Sequence, residues 1–105
     1  MEKKIKNITN QIVKRYKPEK VFLFGSFATG RAKKNSDVDL LVIKKTKERF
    51  TKRLLQVSGL VNSPMGTDIL VYTPKEWKSA LKEENYFVRE IAQTGKLLYD
   101  RENKK

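Results

Sequence analysis

The 105-residue chain contains no cysteine and no histidine. Without cysteine there is no disulfide scaffold, thiolate zinc site, redox-active thiol or cysteine nucleophile. Without histidine there is no imidazole metal ligand and no triad that uses His as its base. Acid–base or metal chemistry must therefore come from carboxylates, Lys, Tyr, Ser or Thr. Long apolar runs are missing as well. Nothing approaches the roughly 18 residues of a bilayer span, and the opening MEKKIKN lacks the apolar segment of a signal peptide. A cytoplasmic location with no membrane partner is the expectation.

Positive charge is what the chain has in excess: 24 Lys+Arg stand against 12 Asp+Glu, a formal net charge of +12. The excess is uneven. Residues 1–53 carry 16 basic and 5 acidic side chains, whereas residues 54–105 carry 8 and 7. A polyanionic partner would suit this, whether nucleic acid, a nucleoside triphosphate or an acidic protein surface. A solvated Lys-rich surface would suit it equally, and charge does not choose between them. With 38% hydrophobic residues there is material for one core, so a single folded domain over residues 1–105 is expected, without linker or repeat.

Ile5, Ile8, Ile12, Val13 and Tyr16 share one stripe of a helix running from about Glu2 to Tyr16, an N-terminal element ended by Pro18. Val21 to Phe24 reads as a buried strand. Gly25 to Ser36 reads as a loop with one helical turn at Ser26 to Thr29, and Asp37 to Ile43 as a second strand. Lys47 to Leu60 suits an amphipathic helix, and Asp68 to Tyr72 a third strand. Thr73-Pro74-Lys75-Glu76 has the form of a capping box opening a helix to about Lys82. A last helix around Phe87, Val88, Ile91 and Ala92 stops at Gly95, before a short strand Leu97 to Tyr99 and a tail, residues 100–105, expected to fray. The order gives an α/β (α+β) fold, a small mixed sheet of about four strands flanked by helices.

Two neighbouring features carry chemistry. Residues i and i+2 of a strand face the same way, so Asp37 and Asp39 project together, roughly 7 Å apart at Cα. Two carboxylates so placed repel unless a cation sits between them, and oxygen-only ligation suits Mg2+. If the third strand lies beside the second, Asp68 reaches the same place. Three Asp can then hold two Mg2+ ions for in-line attack on phosphorus, with Asp68 the natural general base. The second feature is Gly25-Ser26, leaving the first strand. Glycine admits phosphate oxygens close to the backbone, free N–H groups at a helix start favour anions, and the Ser26 hydroxyl can donate to a phosphate. Each feature alone also has a plain reading as a turn, a solvated strand end or a turn serine at Ser36. Their order and spacing together make the case.

The string Gly25-Ser26-x3-Gly30-x5-Ser36-Asp37-x-Asp39-Leu40, followed by Asp68, resembles the signature of the DNA polymerase β-type nucleotidyltransferase superfamily. Within it the chain is similar to the minimal nucleotidyltransferase (MNT, MntA-like) class, whose members are often antitoxins paired with HEPN-domain ribonuclease toxins. The segments Tyr72 to Trp77, Phe87 to Ile91 and Leu97 to Tyr99 also resemble that class. The resemblance implies that Gly25, Ser26, Gly30 and Ser36 belong to a nucleotide-phosphate loop. It further implies that Asp37 and Asp39 bind both metals, and that Asp68 binds the catalytic metal and activates the acceptor hydroxyl. The family often has a basic residue just before the second motif glycine. Here Thr29 stands there, and Arg31, just after Gly30, is the candidate substitute.

The leading expectation is Mg2+-dependent transfer of AMP from ATP to a hydroxyl. The whole chain is taken up by the catalytic core, so a partner must present the acceptor. The resemblance suggests a tyrosine of a HEPN toxin, in a hetero-oligomeric, type VII-like toxin–antitoxin pair. A non-catalytic antitoxin that occludes its toxin through Trp77, Tyr86 and Phe87 is one alternative, although core packing is the plainer reading of those aromatics. An RNA-modifying transferase is another. A triphosphate accounts for part of the charge, with Arg31, Lys33 and Lys34 in the phosphate loop and Lys44, Lys45, Lys47 and Arg49 after the second strand. An acidic partner accounts for the rest, with nucleic acid possible but not favoured.

Overall fold

In the computed structural model, which describes residues 2–103, the apolar stripe read from the sequence does form a helix, α1 (Glu2–Tyr16). It is followed by β1 (Lys20–Phe24), α2 (Ser26–Thr29), β2 (Val38–Ile43), α3 (Phe50–Ser58), β3 (Thr67–Tyr72), α4 (Pro74–Lys82), α5 (Tyr86–Thr94) and β4 (Lys96–Asp100). The strands make one mixed sheet in the order β3-β2-β1-β4. β1 runs antiparallel to both β2 and β4, and β2 runs parallel to β3 through the α3 crossover.

Strand alternation decides what each face of the sheet buries. Val21, Leu23, Leu40, Val42, Ile69 and Val71 point to one face and pack under Ile5, Ile8 and Ile12 of α1 and Val57 of α3. Leu41 and Ile43 point to the other, where Phe22, Phe24, Leu70, Tyr72 and Trp77 join Ile91 of α5. Phe22 stacks on Trp77 at 5.1 Å and Phe24 meets Phe87 edge-on at 5.5 Å, so two of the three aromatics considered for a partner contact are engaged in packing. Tyr86 is not: it is 79% exposed.

The capping box forms as its spelling implies, with Glu76 N–H donating to Thr73 Oγ1 at 3.1 Å and Thr73 N–H to Glu76 Oε1 at 2.8 Å. Helix α3 is shorter than the expected Lys47 to Leu60. Thr46 Oγ1 accepts from the Glu48 N–H, and the Glu48 carbonyl accepts from Arg53 Nε at 2.7 Å, which holds this stretch outside the helix. Among the described residues Arg53 is the buried cation, 6% exposed, and its guanidinium meets both carboxylate oxygens of Glu76 at 2.7 and 3.2 Å. That fork ties α3 to α4 across the end of β3. The tail expected to fray from residue 100 begins inside β4. It continues as a 3-10 turn, Arg101–Asn103, because the Arg101 N–H donates to the Glu19 carbonyl at 2.8 Å; residues 104 and 105 lie outside the described residues. No helix among the described residues is long and apolar enough to cross a membrane.

Candidate active site

The parallel ladder between β2 and β3 puts Asp39 directly beside Asp68. The antiparallel ladder between β1 and β2 puts Phe24, the last residue of β1, across from Asp39. Paired residues point to the same side, so Asp39 and Asp68 leave the sheet on the Phe24 face, where α5 packs. Asp37 lies two residues before Asp39, just outside β2, and shares that direction. Asp37 and Asp68 are exposed and Asp39 is half-buried.

Electrostatics single out Asp39. Burial, then the negative charges of Asp68 and Asp37, and a side-chain hydrogen bond with Asp68 all push its carboxyl above the ordinary value. Among the described residues, no three His, Cys, Asp or Glu side chains stand in finished metal-ligating geometry. The donor set nevertheless fits a hard divalent cation: it is all oxygen, and the crowding that raises Asp39 is what a positive charge between the carboxylates would relieve.

Two glycines make room for these carboxylates. A Cβ on Gly25 would fall on the Asp39 carboxylate, with Cγ at 3.2 Å, and a Cβ on Gly66 would fall on the Asp37 carboxylate, with Cγ at 3.0 Å. Gly25 further has φ +74° and ψ −154°, a backbone state essentially confined to glycine. Gly66, just before β3, belongs to this geometry although nothing in the sequence singles it out. Its only signal is register: the Val38 N–H donates to the Gly66 carbonyl at 2.9 Å, which sets Gly66 alongside Asp37.

The Gly25-Ser26 turn is tight. The Gly25 carbonyl accepts from the N–H groups of Ala28 and Thr29, and Gly30, at φ +77°, ends α2 with its N–H on the Ser26 carbonyl. The Arg31 N–H reaches the same carbonyl at 2.9 Å, and the Arg31 side chain is exposed. Ser36 closes the loop that carries Arg31, Lys33 and Lys34. Its Oγ accepts from the Lys33 N–H at 2.7 Å and its own N–H donates to the Lys33 carbonyl, which closes the loop ahead of Asp37.

The structure also divides the positive charge. Arg31, Lys33 and Lys34 sit in the loop between α2 and Asp37, at the carboxylate end of the sheet. Lys44, Lys45, Lys47 and Arg49 follow the opposite end of β2, so the attribution of these four to a triphosphate is corrected. They stand near Asp39 in the sequence, but the rest of β2 intervenes, roughly 17 Å from Asp39 to Lys44.

Residues 3–104 match the profile of a family described as "Polymerase beta, Nucleotidyltransferase". A protein of Methanocaldococcus jannaschii, named "Putative protein adenylyltransferase MJ0604", is 28% identical over 105 residues, spanning 93% of this chain and 97% of that protein. Among solved structures, one described as a "putative nucleotidyltransferase" from Sulfolobus solfataricus superposes with a TM-score of 0.70 at 25% identity, over 98% of this chain and 83% of that one. A chain from a toxin–antitoxin structure with AMP-PNP has a TM-score of 0.61 at 19% identity, over 90% and 71%, and shares the fold.

Proposed function

The chain belongs to the polymerase beta nucleotidyltransferase family and is a nucleotidyltransferase, and on that premise we propose that it moves AMP from ATP to a hydroxyl of a partner protein, a tyrosine of a HEPN ribonuclease toxin. The observation that carries the reading is the meeting of Asp37, Asp39 and Asp68 at one sheet end, beside a glycine turn shaped around Asp39.

Asp37, Asp39 and Asp68 would hold Mg2+, which when bound offsets phosphate charge and acidifies an attacking hydroxyl. The remaining work falls to the chain. Gly25 leaves its backbone open to phosphate oxygens, and the Ser26 hydroxyl donates to one of them. Arg31, Lys33 and Lys34 hold the triphosphate end by charge. The acceptor oxygen then attacks the α-phosphorus in line, an oxygen–phosphorus bond forms, the bond to pyrophosphate breaks, and the hydroxyl proton passes to the exposed carboxylate of Asp68. AMP on a tyrosine adds negative charge and bulk, which at a ribonuclease site repels a polyanionic substrate.

The name of the Methanocaldococcus jannaschii relative and the fold shared with a toxin–antitoxin component support the choice of a protein acceptor. The test is to purify the product of the neighbouring gene, incubate it with this protein, ATP and Mg2+, and map modified residues by tandem mass spectrometry alongside ribonuclease activity. One AMP on a tyrosine with loss of ribonuclease activity is expected. Inhibition that survives Asp37→Asn/Asp39→Asn would mean an occluding antitoxin instead.

A further inference from the structure

Three shallow grooves follow one another through shared lining residues, the first at the end of the sheet opposite the carboxylates. The first, about 610 Å³, lies where β1 begins and β2 and β4 end, and is lined by Lys14, Lys17, Lys44, Lys45 and Arg101. Lys45 also lines the second, about 540 Å³, with Lys47 and Lys75. Lys75 in turn lines the third, about 370 Å³, with Lys78 and Lys82.

One acidic residue, Glu19, lines any of the three, and it is already engaged by the Lys45 N–H at 3.3 Å and by Arg101 at 3.9 Å. None of the eight lysines makes an ion pair among the described residues. Eight like charges with one carboxylate among them repel one another, and an anion laid along the grooves would relieve that repulsion.

We propose that this belt binds double-stranded nucleic acid through its phosphate backbone, as a tether held apart from the catalytic end. Lysine is a point-charge phosphate ligand and is depleted at protein–protein interfaces, where aromatic residues and Arg supply the anchors. The belt offers few such anchors: its one arginine, Arg101, already faces Glu19 at 3.9 Å, and its single aromatic lining residue, Tyr99, is half-buried. The same lack disfavours a single strand, whose bases need faces to stack on. The first two grooves follow the ends of β2 and β3 that lie away from Asp39, and the proposal does not rest on the catalytic reading.

The test is fluorescence anisotropy with duplexes of about 20 base pairs, one DNA and one RNA, from about 50 to about 200 mM salt. Steeply salt-dependent binding is expected, and the two arms identify which duplex is preferred. In Lys45→Gln/Lys75→Gln/Lys78→Gln, whose altered side chains are all exposed, the log–log salt slope should flatten by about 2.7, with affinity at least ~10-fold weaker. Arg31→Gln/Lys33→Gln/Lys34→Gln should keep the wild-type slope, and Asp37→Asn/Asp39→Asn should bind as tightly as wild type. No binding, an unchanged slope in the belt variant, tighter binding to a single strand, or equal affinity for a polyglutamate peptide would each overturn the proposal, the last in favour of an acidic protein.

Discussion

Gly66→Ala separates stability from activity in a way that only the site geometry explains. Gly66 is exposed and its φ is not positive, so alanine fits its backbone without strain. The new Cβ would land on the Asp37 carboxylate, with Asp37 Cγ at 3.0 Å and Oδ2 at 3.6 Å. Asp37 is an exposed side chain that can swing away, so the cost to folding should stay within about 0.5 kcal/mol, typical of surface changes. The swing takes a proposed ligand oxygen out of register, and a displacement of about 1 Å in a catalytic array costs on the order of 10²-fold in rate. Thermal unfolding beside a label-transfer assay reads both. An unchanged melting temperature with activity down on the order of 10²-fold is expected. Full activity would refute the placement of Asp37 in the machinery. Gly25→Ala is the contrasting case: alanine there must also enter a glycine-only backbone state, at about 1–3 kcal/mol, so stability and activity should fall together.

Other perturbations probe the frame. Glu76→Gln removes the charge opposite the buried Arg53 and weakens the capping box, and should cost about 1–3 kcal/mol in a urea titration, whereas Arg53→Met/Glu76→Gln should recover part of the loss. Leu40→Ala, at a fully buried central strand position, should cost about 2–5 kcal/mol by the same measure. The pH dependence of stability carries two opposite signs. Glu76 is lowered, chiefly by its hydrogen bond with Arg53, so its contribution is full above the ordinary Glu range and is lost as pH falls through and below it. Asp39 is raised, chiefly by burial, so stability falls as pH rises past the ordinary Asp range. Asp39→Asn should therefore melt higher than wild type at neutral pH in chelator while losing activity.

The sequence disclosed what depends on short periods and short spacings. The stripe of α1, the capping box at Thr73 to Glu76 and the alternation of β2 are local, and each appeared with its ends shifted by one residue at most. The convergence of Asp39 and Asp68 was also legible, because a helical crossover between two strands favours placing them side by side and parallel. What stayed hidden depends on partners distant along the chain. Arg53 reads as one more surface cation of α3 until Glu76, 23 residues on, folds against it. Gly66 reads as a turn residue until register lays it beside Asp37. Lys44 to Arg49 read as neighbours of Asp37 and Asp39 because they are close in number, but a strand carries the chain away by about 3.3 Å per residue.

The central claim is that this carboxylate end transfers a nucleotide to protein. The most direct measurement is to supply ATP labelled at the α-phosphate, or separately at the γ-phosphate, to this protein with the product of its neighbouring gene and Mg2+. The account predicts α-label on the partner protein, pyrophosphate released in step, no transfer of γ-label, and nothing from Asp37→Asn/Asp39→Asn. Transfer of γ-label, α-label confined to nucleic acid, or α-label undiminished in the double variant would contradict it.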